Sequence, residues 1–178
     1  MSGGSIIVIA FLAFVAITIF KGVRIVPQGY KWIVQRLGKY HTTLNPGLNF
    51  VIPYVDEVAY KVTTKDIVLD IPSQEVITRD NAVLLMNAVA YINLTTPEKA
   101  VYGIENYSWA IQNLVQTSLR SIVGEMDLDD ALSSRDHIKA RLKSSISDDI
   151  SDWGITLKTV EIQDIKPSIT MQTAMEEQ

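Results

Sequence analysis

The sequence contains no cysteine and only two histidines among its 178 residues. Without cysteine, no disulfide framework argues for an oxidising compartment. A transition-metal site would need an all-carboxylate or mixed set of ligands. His41 and His137 lie far apart in the chain, and their spacing to other candidate ligands does not suggest such a set. The sequence therefore predicts no metal site and no cofactor.

Recognisable catalytic patterns are also missing, including a phosphate-binding glycine loop. Ser133, Ser134, Asp136 and His137 have the residue types of a catalytic triad, but side chains one residue apart on a helix point in different directions. A helix cap and a solvated helix face explain them better. Acidic residues near helix starts are ordinary partners of the helix macrodipole, which accounts for Asp127, Asp129 and Asp130. No catalytic residue is predicted.

Charge is sparse and unevenly placed. The formal net charge is -4, and basic residues concentrate after an apolar segment near the N-terminus rather than in a stripe. This distribution lacks the basic footprint of a nucleic-acid-binding protein. The sequence therefore predicts no nucleic-acid partner.

The apolar segment Ile6–Phe20 contains no charge and no proline. At 1.5 Å per helical residue it spans about 22 Å, less than the roughly 30 Å of a hydrocarbon core. Small flanking residues and Lys21, whose stem can run along the helix to the headgroups, extend the span. The segment is predicted to be a single-pass membrane anchor, represented by Ile6, Phe11, Phe14, Ile17 and Phe20.

A secretory signal is the competing interpretation, but no basic residue precedes the apolar run and no small-x-small cleavage site follows it. Basic residues only after the run favour an N-terminus outside and a domain on the cytoplasmic face of a bacterial inner membrane. These residues either contact anionic headgroups or signal topology alone. The candidate headgroup contacts are Lys21, Arg24 and Lys31.

The next part of the chain has the period of β-strands. Strands are predicted at Tyr30–Leu37, Leu48–Ile52 and Val58–Val62, with turns at proline and glycine. Ile67–Ile71 alternates up to Pro72, and Glu75–Ile77 forms a separate short strand before a polar turn. The longest strand places one apolar face inward, formed by Leu84, Met86, Ala88, Ala90, Ile92 and Leu94. These strands together predict a mainly antiparallel sheet.

After Leu94 the period changes to that of helices. Thr96 is predicted to cap a helix that begins with Pro97. A second helix carries the stripe Ile111, Leu114, Val115, Ser118, Leu119, Ile122 and Val123. A short helical turn covers 128–132, and Ser133–Asp136 is a capping-box-like start to a helix with Ile138, Leu142, Ile146 and Ile150 on one face. Strand character returns at Ile155–Ile165, so the fold class is α+β.

The chain resembles the stomatin/prohibitin (SPFH) family, and most closely its bacterial, N-terminally anchored stomatin-like members of the QmcA type. The resemblance covers residues 23–178. It rests on a string of ordered motifs: Ile25–Gly29 (IVPQG), Arg36–Tyr40 (RLGKY), Leu44–Leu48 (LNPGL), Leu69–Asn81 (LDIPSQEVITRDN), Gln116–Gly124 (QTSLRSIVG) and Trp153–Gly154. Eukaryotic stomatins have a proline-bent membrane hairpin and palmitoylated cysteines, which this chain lacks.

The resemblance implies an anchor at 1–22, a mostly β first SPFH subdomain at 23–72, an α/β second subdomain at 73–166 and the start of a coiled-coil stalk at 167–178. The implied fold is a curved, mainly antiparallel sheet with helices packed on it. The implied function is a non-enzymatic scaffold that forms large homo-oligomeric rings or cages, organises a membrane microdomain and modulates a membrane protease such as FtsH or other membrane proteins. The alternative is a membrane-tethered hydrolase with an unrecognised site.

Two surfaces are predicted to make contacts. An apolar segment bounded by prolines is expected either to dip into the headgroup layer or to join the core. Its candidate interfacial residues are Leu48, Phe50, Val51, Ile52, Tyr54 and Val55. The helical half is expected to supply weak subunit contacts through Arg120, Glu125, Asp129, Asp130 and Arg135. For both arginines, an internal salt bridge between helices is the favoured alternative.

Overall fold

The computed structural model describes residues 3–169, 172 and 173. The chain divides into two compact units, Met1–Lys65 and Asp66–Gln178, called unit 1 and unit 2 below. Both combine helix with antiparallel sheet, as predicted for an α+β protein.

Unit 1 begins with helix α1 (Gly3–Gly22). Its strands are β1 (Val23–Val26), β2 (Tyr30–Arg36), β3 (Lys39–Leu44), β4 (Gly47–Phe50) and β5 (Asp56–Thr63). β1 pairs with β4, and β2 lies between β3 and β5; every pairing is antiparallel. A small core joins these sheets, formed by Val26, Val34, Leu44 and Val51 with Trp32 and Val58 against them.

α1 is longer than its apolar run. The run covers 15 residues, but the helix has 20 because it includes Gly3–Ser5, Lys21 and Gly22. Twenty residues at 1.5 Å each give about 30 Å, which matches the thickness of a hydrocarbon core.

The strand predictions in unit 1 were correct in position but incomplete. β2 stops at Arg36 because Leu37 and Gly38 form a tight turn with positive φ angles of 51° and 81°. β1 and β3 were not predicted. β4 ends at Phe50, two residues before the predicted end, and the next amide, of Val51, donates to the Gly22 carbonyl oxygen at 2.8 Å.

Unit 2 contains one sheet in the order β6 (Ile67–Ile77), β7 (Val83–Leu94), β8 (Ile155–Pro167). Its helices are α2 (Pro97–Gly103), α3 (Tyr107–Gly124), α4 (Leu128–Ser133) and α5 (Arg135–Ser151). The predicted inner face of β7 is confirmed, because all six of its apolar side chains are buried. Both long helices bury the predicted stripes against the sheet, except that Leu114 and Ser118 are only half-buried.

Two predicted helix caps were wrong. Thr96 precedes α2, but its side chain makes no capping bond. Ser133 belongs to α4 and Ser134 precedes α5 without a side-chain cap, so the capping box does not form. A cap that was not predicted occurs at α3, where Asn106 Oδ1 accepts from the Trp109 amide at 3.1 Å.

The two compact units divide between residues 65 and 66, whereas the predicted subdomain boundary follows Pro72. Pro72 falls inside β6, at an irregularity between Ile71 and Gln74 where the pairing with β7 shifts register. A bulge tolerates proline because the ladder hydrogen bond is already interrupted there. The two short strands predicted around Pro72 are therefore one strand.

The predicted stalk at 167–178 lies largely outside the described residues. β8 extends through Pro167, and one helical hydrogen bond follows, from the Gln172 amide to the Ser168 carbonyl oxygen at 2.9 Å.

Candidate membrane-contact site

The side chains of α1 are exposed along the helix. The predicted anchor residues Ile6, Phe11, Phe14, Ile17 and Phe20 are all exposed, and within Gly3–Gly22 only Gly22 is buried. By length and composition, α1 can cross a membrane. A continuous apolar surface of this size is unusual on a protein fully surrounded by water.

The two-stranded sheet that follows α1 has one exposed apolar face. Val23 lies opposite Phe50 and Ile25 opposite Leu48, so these side chains share a face. Ile25, Leu48 and Phe50 are 70%, 64% and 69% exposed. Val26, whose side chain points to the other face, is buried in the core of unit 1. The sheet therefore presents apolar side chains outward directly after the helix.

The loop after β4 continues this surface. Ile52 and Tyr54 are exposed, so four of the six side chains predicted for the interfacial segment are accessible. Val51 is instead buried in the core of unit 1, and Val55 is half-buried. Tyr54 has a φ of 69°, a conformation that non-glycine residues adopt infrequently.

Lys21 and Tyr54 meet at the end of α1. The Lys21 ammonium lies 5.4 Å from the centroid of the Tyr54 ring, within the range of a cation–π contact. Together with Arg24 they line a cavity of about 560 Å³, whose other walls are Phe20, Val51, Pro53 and Asp56. Lys31, the third predicted headgroup contact, is half-buried in β2 opposite Val62 and does not line this cavity.

An ion pair fixes the wall of this cavity. Arg36 donates to both carboxylate oxygens of Asp56, at 2.6 and 3.0 Å, and the Ile52 amide donates to the same carboxylate at 2.9 Å. The hydrogen bonds from Arg36 are the main reason that the pKa of Asp56 is lowered to about 2. The carboxylate thus links β2, β5 and the loop that carries Tyr54.

The model of the SPFH domain / Band 7 family matches residues 24–178, which is most of the chain. The chain belongs to the SPFH/Band 7 family.

Relatives of this SPFH chain occur in bacteria, archaea and mammals. An uncharacterised protein of Mycobacterium tuberculosis is 36% identical over 179 residues, covering 98% of this chain and 47% of that protein. An uncharacterised protein of Methanocaldococcus jannaschii is 40% identical over 160 residues, covering 90% and 80%. The human protein named "Stomatin-like protein 2, mitochondrial" is 37% identical over 157 residues, covering 85% and 44%. The chain spans about half the length of the mycobacterial and human relatives.

Two exposed apolar residues of the SPFH domain were missed by sequence analysis. Ile25 belongs to β1, a strand of only four residues whose alternation is too short to recognise next to the apolar anchor. Leu37 is 83% exposed in the β2–β3 turn, where its amide donates to the Val55 carbonyl oxygen at 3.2 Å. A leucine at positive φ is unusual, but only the structure reveals that angle.

The predicted subunit-contact residues lie apart in unit 2 of the SPFH domain. Glu125 pairs with Arg141 at 2.7 Å, a salt bridge between α3 and α5. Arg120 donates to Gln74 Oε1 at 3.2 Å and Arg135 to the Gln163 carbonyl oxygen at 3.4 Å. Neither arginine pairs with the predicted carboxylates within the described chain. The carboxylates of Asp129 and Asp130 form no ion pair with a described residue.

Polar side chains of α3 cover the β6 edge of the sheet in unit 2. On α3, Gln112 donates to the Asp70 carbonyl oxygen at 2.9 Å and Arg120 donates to Gln74. Gln74 in turn donates to the Gln116 carbonyl oxygen at 2.9 Å. These α3 residues are spaced four apart and thus share one face.

On α5 the same spacing recurs along the β8 edge. Arg135 reaches Gln163, Lys139 binds the Glu161 carboxylate at 2.5 Å, and Lys143 donates to the Lys158 carbonyl oxygen at 3.2 Å. Side chains of the two helices therefore bind one backbone carbonyl oxygen of β6 and two of β8, which disfavours strand addition by another chain at these positions.

An aromatic groove lies near the start of α3. Trp109 is 64% exposed and lines a largely apolar groove of about 320 Å³ with Ile104, Leu114 and Trp153. A second cavity, of about 540 Å³, adjoins it through Ile104 and Trp109 and is also lined by Glu105. The sequence does not indicate whether Trp109 belongs to the core or to an interface, because this residue lies just beyond the buried stripe of α3.

The end of α5 next to Trp153 is acidic. Asp148, Asp149 and Asp152 are exposed, and their carboxylates form no ion pair within the described residues. Negative charge at a helix C-terminus opposes the macrodipole and is unfavourable for the helix itself. Local helix stability does not explain this placement.

The serine and histidine side chains considered for a catalytic triad take structural or exposed positions. Ser133 Oγ donates to the Asp129 carbonyl oxygen at 2.7 Å, a bond within α4. His137 is exposed on α5. His41 lies in unit 1 and His137 in unit 2, so each belongs to a separate compact unit.

Proposed function

We propose that this chain is the anchored part of a non-enzymatic membrane scaffold and that unit 1 contacts the bilayer surface in addition to α1. The observation that carries the proposal is the register of β1 with β4. It gathers Ile25, Leu48 and Phe50 on one exposed apolar face that begins at the residue after α1. Burial of this face in a bilayer would remove apolar area from water and so favour the contact.

Polar and aromatic groups around this face suit the headgroup layer. Lys21 and Arg24 lie at the end of the anchor and can approach anionic headgroups, and Lys31 is the third candidate. Tyr54 carries a hydroxyl on an apolar ring, a combination favoured where hydrocarbon meets water. The Lys21–Tyr54 contact keeps both at the same end of α1.

The proposed location is a bacterial inner membrane, crossed once, with the SPFH domain on the cytoplasmic side. The basis is the positive charge that follows α1 at Lys21, Arg24 and Lys31, because cytoplasmic flanks of membrane helices are enriched in lysine and arginine.

The proposed activity is assembly. Copies of the full-length protein would form a large ring or cage that organises a membrane microdomain and modulates a membrane protease such as FtsH or other membrane proteins. Family membership and similarity to a protein named stomatin-like support this assignment. The SPFH domain alone would associate only weakly.

Site-specific lipid quenching tests the membrane contact. The chain lacks cysteine, so a single cysteine can carry a fluorophore without other changes. Labels at Ile25→Cys and Phe50→Cys are compared with Phe14→Cys in α1 and with Leu132→Cys, exposed on α4. The labelled chains are reconstituted in liposomes without nitroxide lipids, with lipids that carry a nitroxide near the headgroup, and with lipids that carry it deep on the acyl chain.

Quenching at positions 25 and 50, with none at 132, is expected. Quenching at 14 alone would mean that α1 inserts but the β1–β4 face does not touch the bilayer. Absence of quenching at 14 would mean that α1 is not a membrane anchor.

A further inference from the structure

The groove beside Trp109 has the features of a docking surface for another polypeptide. Its walls, Ile104, Trp109, Leu114 and Trp153, are apolar and leave Trp109 mostly exposed. Tryptophan is enriched among the residues that contribute most of the binding energy in protein interfaces. The Asn106 cap on the Trp109 amide holds the first turn of α3, and thereby the base of this side chain, in place.

The charges around the groove indicate the chemistry of the partner. Glu105 lines the adjoining cavity, Asp152 directly precedes Trp153, and Asp148 and Asp149 are exposed on the last turn of α5. None of these four carboxylates forms an ion pair within the described chain. Carboxylates in these positions attract cations and repel the anionic headgroups of a membrane.

We propose that the groove, defined by Ile104, Trp109, Leu114 and Trp153, binds a segment of a partner protein in which one large apolar side chain is flanked by lysine or arginine. The apolar side chain enters the groove next to Trp109, and the flanking cations face Glu105 and the aspartates at the end of α5. Because no residue that lines the groove belongs to a strand, the partner binds through side chains rather than as an added strand.

The three tryptophans provide an internal control for the test. Trp109 and Trp153 line the groove, whereas Trp32 belongs to unit 1 and packs beside Lys61. The indole N–H signals of ¹⁵N-labelled protein in phosphatidylcholine nanodiscs are followed by nuclear magnetic resonance. They are assigned with Trp109→Phe and Trp32→Phe and then titrated with the peptide Lys-Lys-Phe-Lys-Lys.

Saturable shifts of the Trp109 and Trp153 signals, with Trp32 unchanged, are expected. Peptides with glutamate in place of lysine, or serine in place of phenylalanine, should leave the signals unchanged. The pair Asp149→Asn and Asp152→Asn should weaken binding by roughly two- to fivefold, as loss of exposed ion pairs does. The matched pair Asp129→Asn and Asp130→Asn, which removes two exposed carboxylates from α4 instead, should not weaken binding.

Four results would overturn the proposal. These are no shift, equal shifts of all three tryptophans, equal binding of the glutamate peptide, or equal weakening by both aspartate pairs. Shifts that appear without peptide when phosphatidylglycerol is added would also overturn it by assigning the groove to the membrane. Shifts that appear without peptide when the protein concentration rises would overturn it by assigning the groove to a second copy. Docking in this groove does not require the membrane contact proposed for unit 1, so either can fail alone.

Discussion

Arg36 and Asp56 close the ends of β2 and β5 with a two-point ion pair. The Asp56 side chain is almost completely covered, with 3% of its surface exposed, whereas that of Arg36 is 36% exposed. Removing one partner from a covered pair leaves the other charge without compensation. The pair therefore controls how the loop with Tyr54 is held and makes unit 1 sensitive to acid.

Unit 1 is expected to lose stability between about pH 4 and about pH 2. Folding holds the pKa of Asp56 at about 2, below the ordinary value near 4, because the native state favours the carboxylate. Its stabilising contribution is complete above about pH 4 and disappears as the pH falls through the lowered pKa. Chemical denaturation in detergent micelles at a series of pH values measures this loss.

The variant Asp56→Asn isolates this effect from other carboxylates. It should be less stable than the parent at neutral pH, and the difference should shrink toward pH 2. Glu57→Gln, a change at the exposed neighbour in β5, should follow the parent at every pH. A constant difference between Asp56→Asn and the parent across the range would contradict the assignment.

Replacing Gly22 by alanine should loosen the junction between α1 and the β1–β4 sheet. A Cβ atom at this position would lie 2.7 Å from the Val51 carbonyl oxygen, and backbone cannot move away as a flexible side chain can. Overpacking of this kind costs about 1–3 kcal/mol. The free energy of unfolding in detergent micelles measures the change.

Gly4→Ala is the matched control, because a Cβ there has no neighbour within 4 Å and Gly4 lies in the same helix. It should leave stability unchanged or slightly raised, since alanine favours helix. Equal effects of both substitutions would show that the approach of Val51 to Gly22 is unimportant.

The proposed cytoplasmic orientation predicts that a reporter enzyme active only in the periplasm stays inactive when fused after Gln178. Translocating the basic segment that follows α1 is unfavourable. A companion fusion to a reporter active only in the cytoplasm should give full activity. The opposite pattern would place the domain in the periplasm.

The SPFH domain is expected to self-associate weakly and reversibly through the helical surfaces of unit 2. Small, largely polar interfaces are typically transient. Sedimentation velocity of residues 23–178 over a wide concentration range should give a mass that rises with concentration. A species that stays monomeric when concentrated would exclude association through this domain, and a stable closed ring would exclude a requirement for a stalk.

Regular periodicity made much of the fold predictable. β7 alternates over twelve residues and α5 repeats apolar residues every four, so each pattern has only one arrangement that buries its apolar side chains. The short strands β1 and β3 were missed because four to six residues carry too little alternation. The predictions of the helix caps were wrong for a related reason. Thr96 and Ser134 have suitable side chains, but a capping hydrogen bond depends on local backbone angles that composition does not encode.

The candidate site was only partly predictable from sequence. An apolar segment near an anchor suggested Leu48 and Phe50, but their shared face with Ile25 depends on strand register, a long-range property. Arg36 and Asp56 are twenty residues apart, and no local pattern links them. The groove beside Trp109 likewise requires α2, α3 and the end of α5 to converge.

The hydrogen bonds that α3 and α5 make at the two edges of the sheet in unit 2 affect how neighbouring copies meet on a membrane. Anchored copies confined to two dimensions meet at high local concentration, where an open strand edge would seed irreversible aggregation. Side chains from α3 at one edge and from α5 at the other bind three backbone carbonyl oxygens that a neighbouring strand could use, those of Asp70, Gln163 and Lys158. We therefore expect copies held on one membrane by the proposed anchor to collide and separate again, so that reversible side-chain contacts determine which encounters persist.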